Sequence, residues 1–257
     1  MMGIKSYLAL GVLSYLFFLL VSIPASLPWS FLKVDPGLLV LDDISGTPWS
    51  GRVGKVVVVH FALGPLTWRL HGDTLLDLAP RVDFSLEGDK GFHMKGSGIA
   101  AVREMSLKVK DLTFSSPIPA LTPIMVRIPV ELTGQAEAFI KDLAIDRRGW
   151  IVAIDAGGSL KDVAIGPPWN KVLGGYSLEA MLGVDGEALV RIKDKEGAIR
   201  TLLVAKIFAD GRYQLRGTLS AGNAMDNQLA NLLKEWIGFD RERIFPVRAS
   251  GHLNDLL

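Results

Sequence analysis

The sequence predicts a mainly β protein, with one N-terminal transmembrane helix followed by a curved, mostly antiparallel β-sheet domain that carries one late amphipathic helix. Three observations lead to this prediction. The stretch from Ser6 to Leu32 has no charged side chain. Short runs that alternate apolar and polar residues then follow one another, separated by glycines. Near the end of the chain, apolar residues recur at three- and four-residue steps.

The apolar run from Tyr7 to Ile23 predicts a membrane anchor. At about 1.5 Å per residue the run covers about 26 Å, close to the roughly 30 Å of a hydrocarbon core, and uncharged residues through Leu27 extend it. The residues expected in the bilayer are Tyr7, Leu8, Leu13, Tyr15, Leu16, Phe17, Phe18, Leu19, Leu20, Val21 and Ile23.

A cleaved secretory signal is the alternative, since Lys5 precedes the run and Pro24-Ala25-Ser26 offers small residues for cleavage. The length of the run favours an uncleaved anchor, because the apolar centre of a signal peptide usually has about 7–15 residues. The positive charge of Lys5 favours an N-terminus inside the cell. We therefore expect residues 1–32 to form a cytoplasmic stub and anchor, and residues 33–257 to form an exported, periplasmic β-rich domain.

Composition excludes several classes of function. The chain has 28 basic and 27 acidic residues and a net charge of +1, so it lacks the basic surplus typical of nucleic-acid binding. It has no cysteine, which excludes disulfides, thiolate nucleophiles, thiolate zinc sites and iron–sulfur clusters. The exported domain must therefore be held together by packing.

The region after the anchor reads as a series of strands. Val82–Glu87 alternates apolar and polar residues, and Gly91–Lys95 follows it as the second strand of a predicted hairpin. Asp185-Gly186 and Asp210-Gly211 favour tight hairpin turns, so neighbouring strands should be antiparallel. The same alternation marks Ser106–Phe114, Val130–Ile140, Ile151–Asp155, Ser177–Val184, Ala188–Ile192, Ile199–Ala209 and Tyr213–Leu219.

Several glycines lie between apolar residues of these strands, namely Gly134, Gly186, Gly217 and Gly251. Glycines at such positions mark bulges, bends or close approach of another chain segment, and they predict a curved sheet. Val56–Val59 departs from the alternation, so this run should be covered on both faces or lie near the membrane.

An amphipathic helix is predicted near the end, with its apolar stripe formed by Met225, Leu229, Leu232, Leu233, Trp236 and Ile237. Asn223 or Asp226 can cap its start and Gly238 its end. The helix either packs on the sheet as part of the core or contacts a partner, in which case the candidate contact residues are Leu229, Leu232, Leu233 and Trp236. Short helical turns are expected around Ser116–Met125, where three prolines limit their length.

No catalytic pattern emerges from the polar residues. The histidines, His60, His71, His93 and His252, are scattered and never spaced as metal-binding pairs on a helix. The segment from Gly96 to Ala101 matches the spelling of a dinucleotide-binding loop but opens no helix, so we interpret it as a loop or strand end. The sequence therefore predicts a protein that is not an enzyme and has no catalytic, cofactor-binding or metal-binding residues.

Two tryptophans lie in glycine-containing motifs. Trp49 belongs to Gly46-Thr47-Pro48-Trp49-Ser50-Gly51, and Trp68 belongs to Leu63-Gly64-Pro65-Leu66-Thr67-Trp68. They are interpreted as core anchors at the first turns of the sheet, with a binding pocket as the alternative.

These motifs resemble protein N of the type II secretion system, the general secretion pathway of Gram-negative bacteria. The family shows a Gly-Thr-Leu-Trp-x-Gly signature after its anchor, and Pro48 stands here in place of the leucine. Asp210–Gly217 and Ala249–Leu253 are also similar to family segments. The resemblance assigns structural signature positions to Gly46, Trp49, Gly51, Gly64, Pro65, Trp68 and Gly217.

The resemblance implies a non-enzymatic, single-pass inner-membrane accessory component with a periplasmic domain, which contributes to export of folded proteins across the outer membrane. Its expected partners are other secretion-system subunits in the inner membrane and periplasm. The strands are also similar in style to AsmA-like envelope proteins. That similarity implies the alternative function, lipid handling or membrane homeostasis through an apolar groove.

Overall fold

The computed structural model describes residues 11–15, 18, 19, 21–27, 39–58, 61–75, 77–88, 91–101, 105–121, 131–148 and 150–252. Thirteen strands of this part form one sheet in which spatial order equals chain order and every neighbouring pair is antiparallel. The mainly β, antiparallel prediction is therefore confirmed. The strands are β1 (Leu39–Gly46), β2 (Ser50–Val58), β3 (Phe61–His71), β4 (Arg81–Glu87), β5 (His93–Ala101), β6 (Ser106–Pro117), β7 (Leu132–Asp146), β8 (Ile151–Ile165), β9 (Lys171–Leu182), β10 (Ala188–Lys195), β11 (Ile199–Ile207), β12 (Arg212–Ala221) and β13 (Phe245–His252).

Two α-helices interrupt this series, α1 (Ile118–Leu121) between β6 and β7, and α2 (Asn227–Ile237) between β12 and β13. A single 3₁₀ turn covers Gly72–Leu75. The helix α1 lies within the segment where short helical turns were expected. Because strands alternate in direction, the turns that follow even-numbered strands all lie at the same end of the strands. We call this end the helix-capped end and the opposite end the open end.

One face of the sheet is apolar because register partners carry apolar or small residues at matching positions. Phe114 pairs with Ala138, Ala138 with Gly158, and Gly158 with Leu178. Side chains of register partners point to the same face, so this row lies on one side, which we call the inward face. Positions between them point outward and carry charges, as shown by Glu137, which forms an ion pair with Lys161 at 2.6 Å.

The glycines fulfil the structural roles expected of them. Gly134 has φ 129° and lies at a shift in register between Thr133 and Gln135. A Cβ on Gly217 would lie 2.1 Å from the carbonyl oxygen of Leu202, which confirms a close approach. Gly186 and Gly211 have φ values of 80° and 83° at the predicted tight turns.

The helix-capped end holds the largest core of the described residues. Its buried members are Ile165, Ala198, Met225, Leu229, Leu232, Leu233 and Phe239. Asp226 caps α2 by accepting a hydrogen bond of 2.7 Å from the backbone N–H of Leu229, and Gly238 ends the helix with φ 69°. The predicted late helix is therefore confirmed, with Asp226 rather than Asn223 as its cap.

Two other predicted segments have clear places in the sheet. Gly96–Ala101 forms the last part of β5, with Gly98 paired to Val82 on one side and Val109 on the other. This agrees with the interpretation as a strand end. Within the valine run, Val56 is buried in a second core cluster, whereas Val59 lies outside the described residues.

Candidate functional site

The predicted anchor is helical wherever it is described before Ile23, at residues 11–15, 18, 19, 21 and 22. Its apolar side chains are exposed, with Leu13, Tyr15 and Phe18 each about two-thirds accessible, and Leu19 and Val21 also at the surface. Tyr7, Leu8, Leu16, Phe17 and Leu20 lie outside the described residues. Over the part of the chain that could be searched, no helix is both long and apolar enough to span a bilayer.

The chain after this helical segment is attached to the open end of the sheet. The backbone N–H of Ala25 donates a hydrogen bond of 3.0 Å to the carbonyl of Gly46, and Ala25 is buried. Gly46 is the last residue of β1, directly before the turn to β2. The exposed apolar helix therefore meets the sheet at the first hairpin.

This first hairpin is held by Trp68 from the neighbouring strand. The indole N–H of Trp68 donates a hydrogen bond of 3.2 Å to the carbonyl of Pro48. A Cβ on Gly51 would lie 2.3 Å from the Trp68 ring, so only glycine lets the ring pack flat against β2. The carbonyl of Trp49 accepts a hydrogen bond from the backbone N–H of Leu70. The motif therefore packs the hairpin onto β3.

The second motif acts at the other end of the same strands. Gly64 has φ 99°, and a Cβ there would lie 2.4 Å from the carbonyl oxygen of Glu87. It pairs with Val56 beside a shift in the register of β2 and β3, and Pro65 follows it in β3. This glycine is therefore required for close packing of β3 against the turn that follows β4.

An apolar groove of ≈ 280 Å³ opens on the inward face at the middle of the sheet. It reaches from Phe114 on β6 to Val190 on β10, four strand spacings of about 4.8 Å apart. The groove therefore spans the inward face of five neighbouring strands, from β6 to β10. Its other inward-facing lining residues are Ala136, Ala138, Ala156, Gly158, Leu160, Leu178 and Ala180.

Small side chains create the groove. Ala138, Ala156 and Gly158 leave space above β7 and β8 that the larger Phe114 and Leu178 border on either side. Because these inward side chains are apolar, the groove offers van der Waals contact and no side-chain hydrogen bond along its floor.

Three of the predicted contact residues of α2 lie in the core, and the fourth lies at the surface. Leu229, Leu232 and Leu233 are buried against the sheet, so in this structure they serve the core. Trp236 remains at the surface beside Ile237, and its ring meets Trp169 edge to face at a centroid distance of 5.3 Å. A partner would therefore meet this helix at Trp236 and Ile237.

Two histidines in the described part of the chain form hydrogen bonds within the sheet and its turns. The Nε2 atom of His71 lies 2.7 Å from a carboxylate oxygen of Asp83, and this hydrogen bond lowers the pKa of Asp83. The Nε2 atom of His252 lies 2.7 Å from the backbone carbonyl of Asp210. Among the residues searched, no three His, Asp or Glu side chains come together as a possible metal site.

Comparison with known proteins assigns the family. The family model of type II secretion system (T2SS) protein N matches residues 38–248, from the residue before β1 into β13. The chain belongs to this T2SS protein N family. It is also 27% identical to the type II secretion system protein N of Aeromonas hydrophila, over 95% of this chain and 97% of that protein. No solved structure gives a significant match.

In this member of the T2SS protein N family, the resemblance inferred from the tryptophan motifs is thereby confirmed. The motif positions Gly46, Gly51, Gly64 and Trp68 all support the first three strands. The groove was not located from the sequence. A signal was present, because Ala136 and Ala138 on β7, and Ala156 and Gly158 on β8, place small residues at every second position.

Proposed function

We propose that this protein is a non-enzymatic accessory component of the type II secretion system. Residues 1–32 anchor it in the bacterial inner membrane with the N-terminus in the cytoplasm, and residues 33–257 work in the periplasm. It contributes to export of folded proteins across the outer membrane by contacting other secretion-system subunits. The observation that carries this proposal is the family match from residue 38 to residue 248.

Three structural features support the proposal. The helical segment that ends before Ile23 exposes large apolar side chains that water solvates poorly and a bilayer would cover. The hydrogen bond between Ala25 and Gly46 fixes the first hairpin close to that segment. With the segment in the bilayer, the open end of the sheet would face the membrane. Both edges of the sheet, β1 and β13, remain free among the described strands, so each could bind a neighbouring subunit.

A secretion assay tests the proposal. We expect deletion of the gene to reduce release of folded exoproteins, and the full chain to restore it. A version whose residues 1–32 are replaced by a cleavable secretory signal should restore release poorly, because the released domain loses its position at the membrane. Crosslinking of the tethered chain in envelope membranes should recover other secretion subunits. Normal secretion by the deletion strain, or recovery of none of these subunits, would contradict the proposal.

Lipid handling is the second candidate function, and the groove of ≈ 280 Å³ on the inward face favours it. An acyl chain matches the apolar lining, and the orientation toward the membrane would give lipid access from the open end. Mass spectrometry of the full chain purified in a mild detergent should then detect bound lipid. The double variant Ala156→Leu/Ala180→Leu should lose it by filling the groove, whereas Thr218→Leu on the outward face should retain it. Absence of lipid from the wild-type protein counts against this candidate.

A further inference from the structure

A row of cationic side chains crosses the outward face of the last four strands. In the register of the sheet Arg191 is opposite Val204, Val204 is opposite Arg216, and Arg216 is opposite Arg248. Since register partners point to the same face, these four side chains form one line from β10 to the edge strand β13. We call this line the basic row.

The end of the basic row on β12 and β13 is electrostatically unfavourable in the isolated chain. Arg216 and Arg248 lie directly opposite each other, and like charges in that arrangement destabilise a sheet. Arg191 has a carboxylate partner, Glu179, at 3.6 Å. No described carboxylate forms an ion pair with Arg216 or Arg248, and both residues are exposed.

Neighbouring positions do not compensate for this repulsion. The next outward residues along the strands are Gln214 and Thr218 beside Arg216, and Pro246 and Ser250 beside Arg248. None of these four carries a negative charge. On β7 and β8, in contrast, an outward cation has a carboxylate partner, because Lys141 lies 3.5 Å from Asp155. The basic row is therefore a charge surplus that folding does not need.

The row ends at a free strand edge. β13 pairs with β12 on one side and with no described strand on the other. Its outer backbone groups can therefore form a ladder with an added strand. Beside Arg216 a shallow outward pocket of ≈ 270 Å³ is lined by Val204, Lys206, Phe208 and Gln214. Cations and apolar surface thus lie next to the place where an added strand would continue the sheet.

We infer that the free edge of β13 binds an extended, acidic segment of a partner protein. Backbone hydrogen bonds extend the sheet by one strand, and an outward-pointing carboxylate opposite Arg248 completes the basic row and relieves its repulsion with Arg216. This inference rests on the proposed function, since the partner would be another secretion subunit.

Two other occupants fit the structure less well. A second copy could offer either of its own free edges. Its β13 brings a second Arg248 and no outward carboxylate, since Pro246 and Ser250 are the neighbouring outward residues. Its β1 has exposed Asp42 and Asp43, but Asp43 has φ 57° and drops out of the register with β2. Such an irregularity bends an edge strand and disfavours a continuous ladder. A membrane surface would engage the outward cations of all four strands, Lys193 and Lys206 included, whereas the like-charged pair of Arg216 and Arg248 lies at the strand edge, where an added strand can meet it.

Site-specific photocrosslinking in the cell envelope tests the inference. A benzophenone amino acid replaces Ser250, which lies on the outward face of β13, in the full-length chain. We expect crosslinks to an acidic segment of a secretion subunit. The double reversal Arg216→Glu/Arg248→Glu should reduce their yield at least tenfold. The matched reversal Lys95→Glu/Lys110→Glu, at exposed cations of β5 and β6, should leave the yield unchanged.

Each other outcome decides against either the inference or the proposed function. Crosslinks to phospholipid alone would assign the row to the membrane surface, and crosslinks to a second copy would assign it to self-association. No crosslink, or an equal yield after the double reversal, would overturn it. An acidic segment from a protein outside the secretion system would support strand addition at β13 and contradict the proposed function instead.

Thermal unfolding separates a binding role from a folding role. The single variant Arg216→Glu places opposite charges across from each other, so its Tm should rise by about 1–3 °C although it loses the crosslink. The double reversal keeps two like charges opposite each other and should unfold at the wild-type temperature. A lower Tm for Arg216→Glu would show that Arg216 serves the fold, and would overturn the inference.

Discussion

The helix-capped end and the central groove lie on the same inward face, but the first is covered and the second is open. At the helix-capped end, α2 covers Ile165 and Ala198, each with at most 3% of its surface accessible. At the groove, Ala138 and Ala156 remain partly accessible because no described segment covers them. Both regions show the same apolar alternation, so alternation alone does not decide which part of a sheet becomes core.

The difference lies in what the chain supplies to cover each region. α2 brings Leu229, Leu232 and Leu233 to the helix-capped end, where they fill the space above the sheet. At its middle the groove is lined on β7 and β8 by Ala138, Ala156 and Gly158, and no described helix lies above these three residues. A core therefore needs a covering element and complementary volume, whereas a groove results where both are missing.

The largest expected effect is the loss of a core side chain at the helix-capped end. Leu229→Ala should destabilise the protein by about 2–5 kcal/mol, because Leu229 is 1% accessible and its removal leaves a cavity. Leu202→Ala, at an outward position with 48% accessibility, should cost less than about 0.5 kcal/mol. Denaturant unfolding of the two variants measures the difference. Equal losses would contradict the assignment of the core.

Added volume should distinguish the two regions in the opposite way. Ala198→Leu inserts side-chain volume into the packed core and should cost about 1–3 kcal/mol. Ala156→Leu inserts the same volume into the open groove and should change the free energy of unfolding by less than about 1 kcal/mol. If Ala156→Leu were as destabilising as Ala198→Leu, the groove would not be open in solution.

Alanine substitutions at two glycines compare a closely packed position with an open one, and the expected change in stability is smaller. Gly51→Ala places a methyl group against the Trp68 ring and should cost about 1 kcal/mol. Gly98→Ala is the matched control, since a Cβ there has no neighbour within 4 Å. The control should be neutral or slightly stabilising. Chemical denaturation of both variants compares them, and equal values would contradict the role of Gly51.

The smallest expected effect depends on pH. The hydrogen bond from Lys171, and next the backbone N–H of Leu229, lower the pKa of Asp226. A lowered pKa in the folded state means that this contribution is complete above the unfolded value of about 3.9 and is lost as pH falls through the folded pKa.

The variant Asp226→Asn checks this sign, because asparagine still caps the helix but does not titrate. Its Tm should be slightly below that of the wild type at pH 7, and the gap should close toward pH 3. A gap that stays constant across this range would show that the carboxylate of Asp226 does not stabilise the helix-capped end.

The strands could be predicted because their signal is local. Arg212–Ala221 and Ala188–Lys195 are close to the predicted runs, since alternation and an Asp-Gly turn lie within ten residues of each other. β8 extends to Ile165, well beyond the predicted Asp155, because Gly157 and Gly158 remain paired with strands on both sides. Pairing by neighbours outweighs the low strand propensity of glycine there.

The groove and the basic row could not be predicted because both depend on register. Arg191, Arg216 and Arg248 are far apart in the sequence, and only the alignment of four strands places them in one line. The packing role of the tryptophan motifs could be predicted in part. Their glycines suggested close packing, but the contact of Gly51 with Trp68 depends on the pairing of β2 with β3.

A sheet whose strands follow one another in chain order can be assembled vectorially. Each strand needs only the strand before it as a template, so pairing can start at the first hairpin beside Ala25 and proceed strand by strand toward β13. The core at the helix-capped end is different, because Ile165 becomes buried only when α2 packs against it. In this order of assembly α2 and β13 are added last, and β13 leaves its outer edge free.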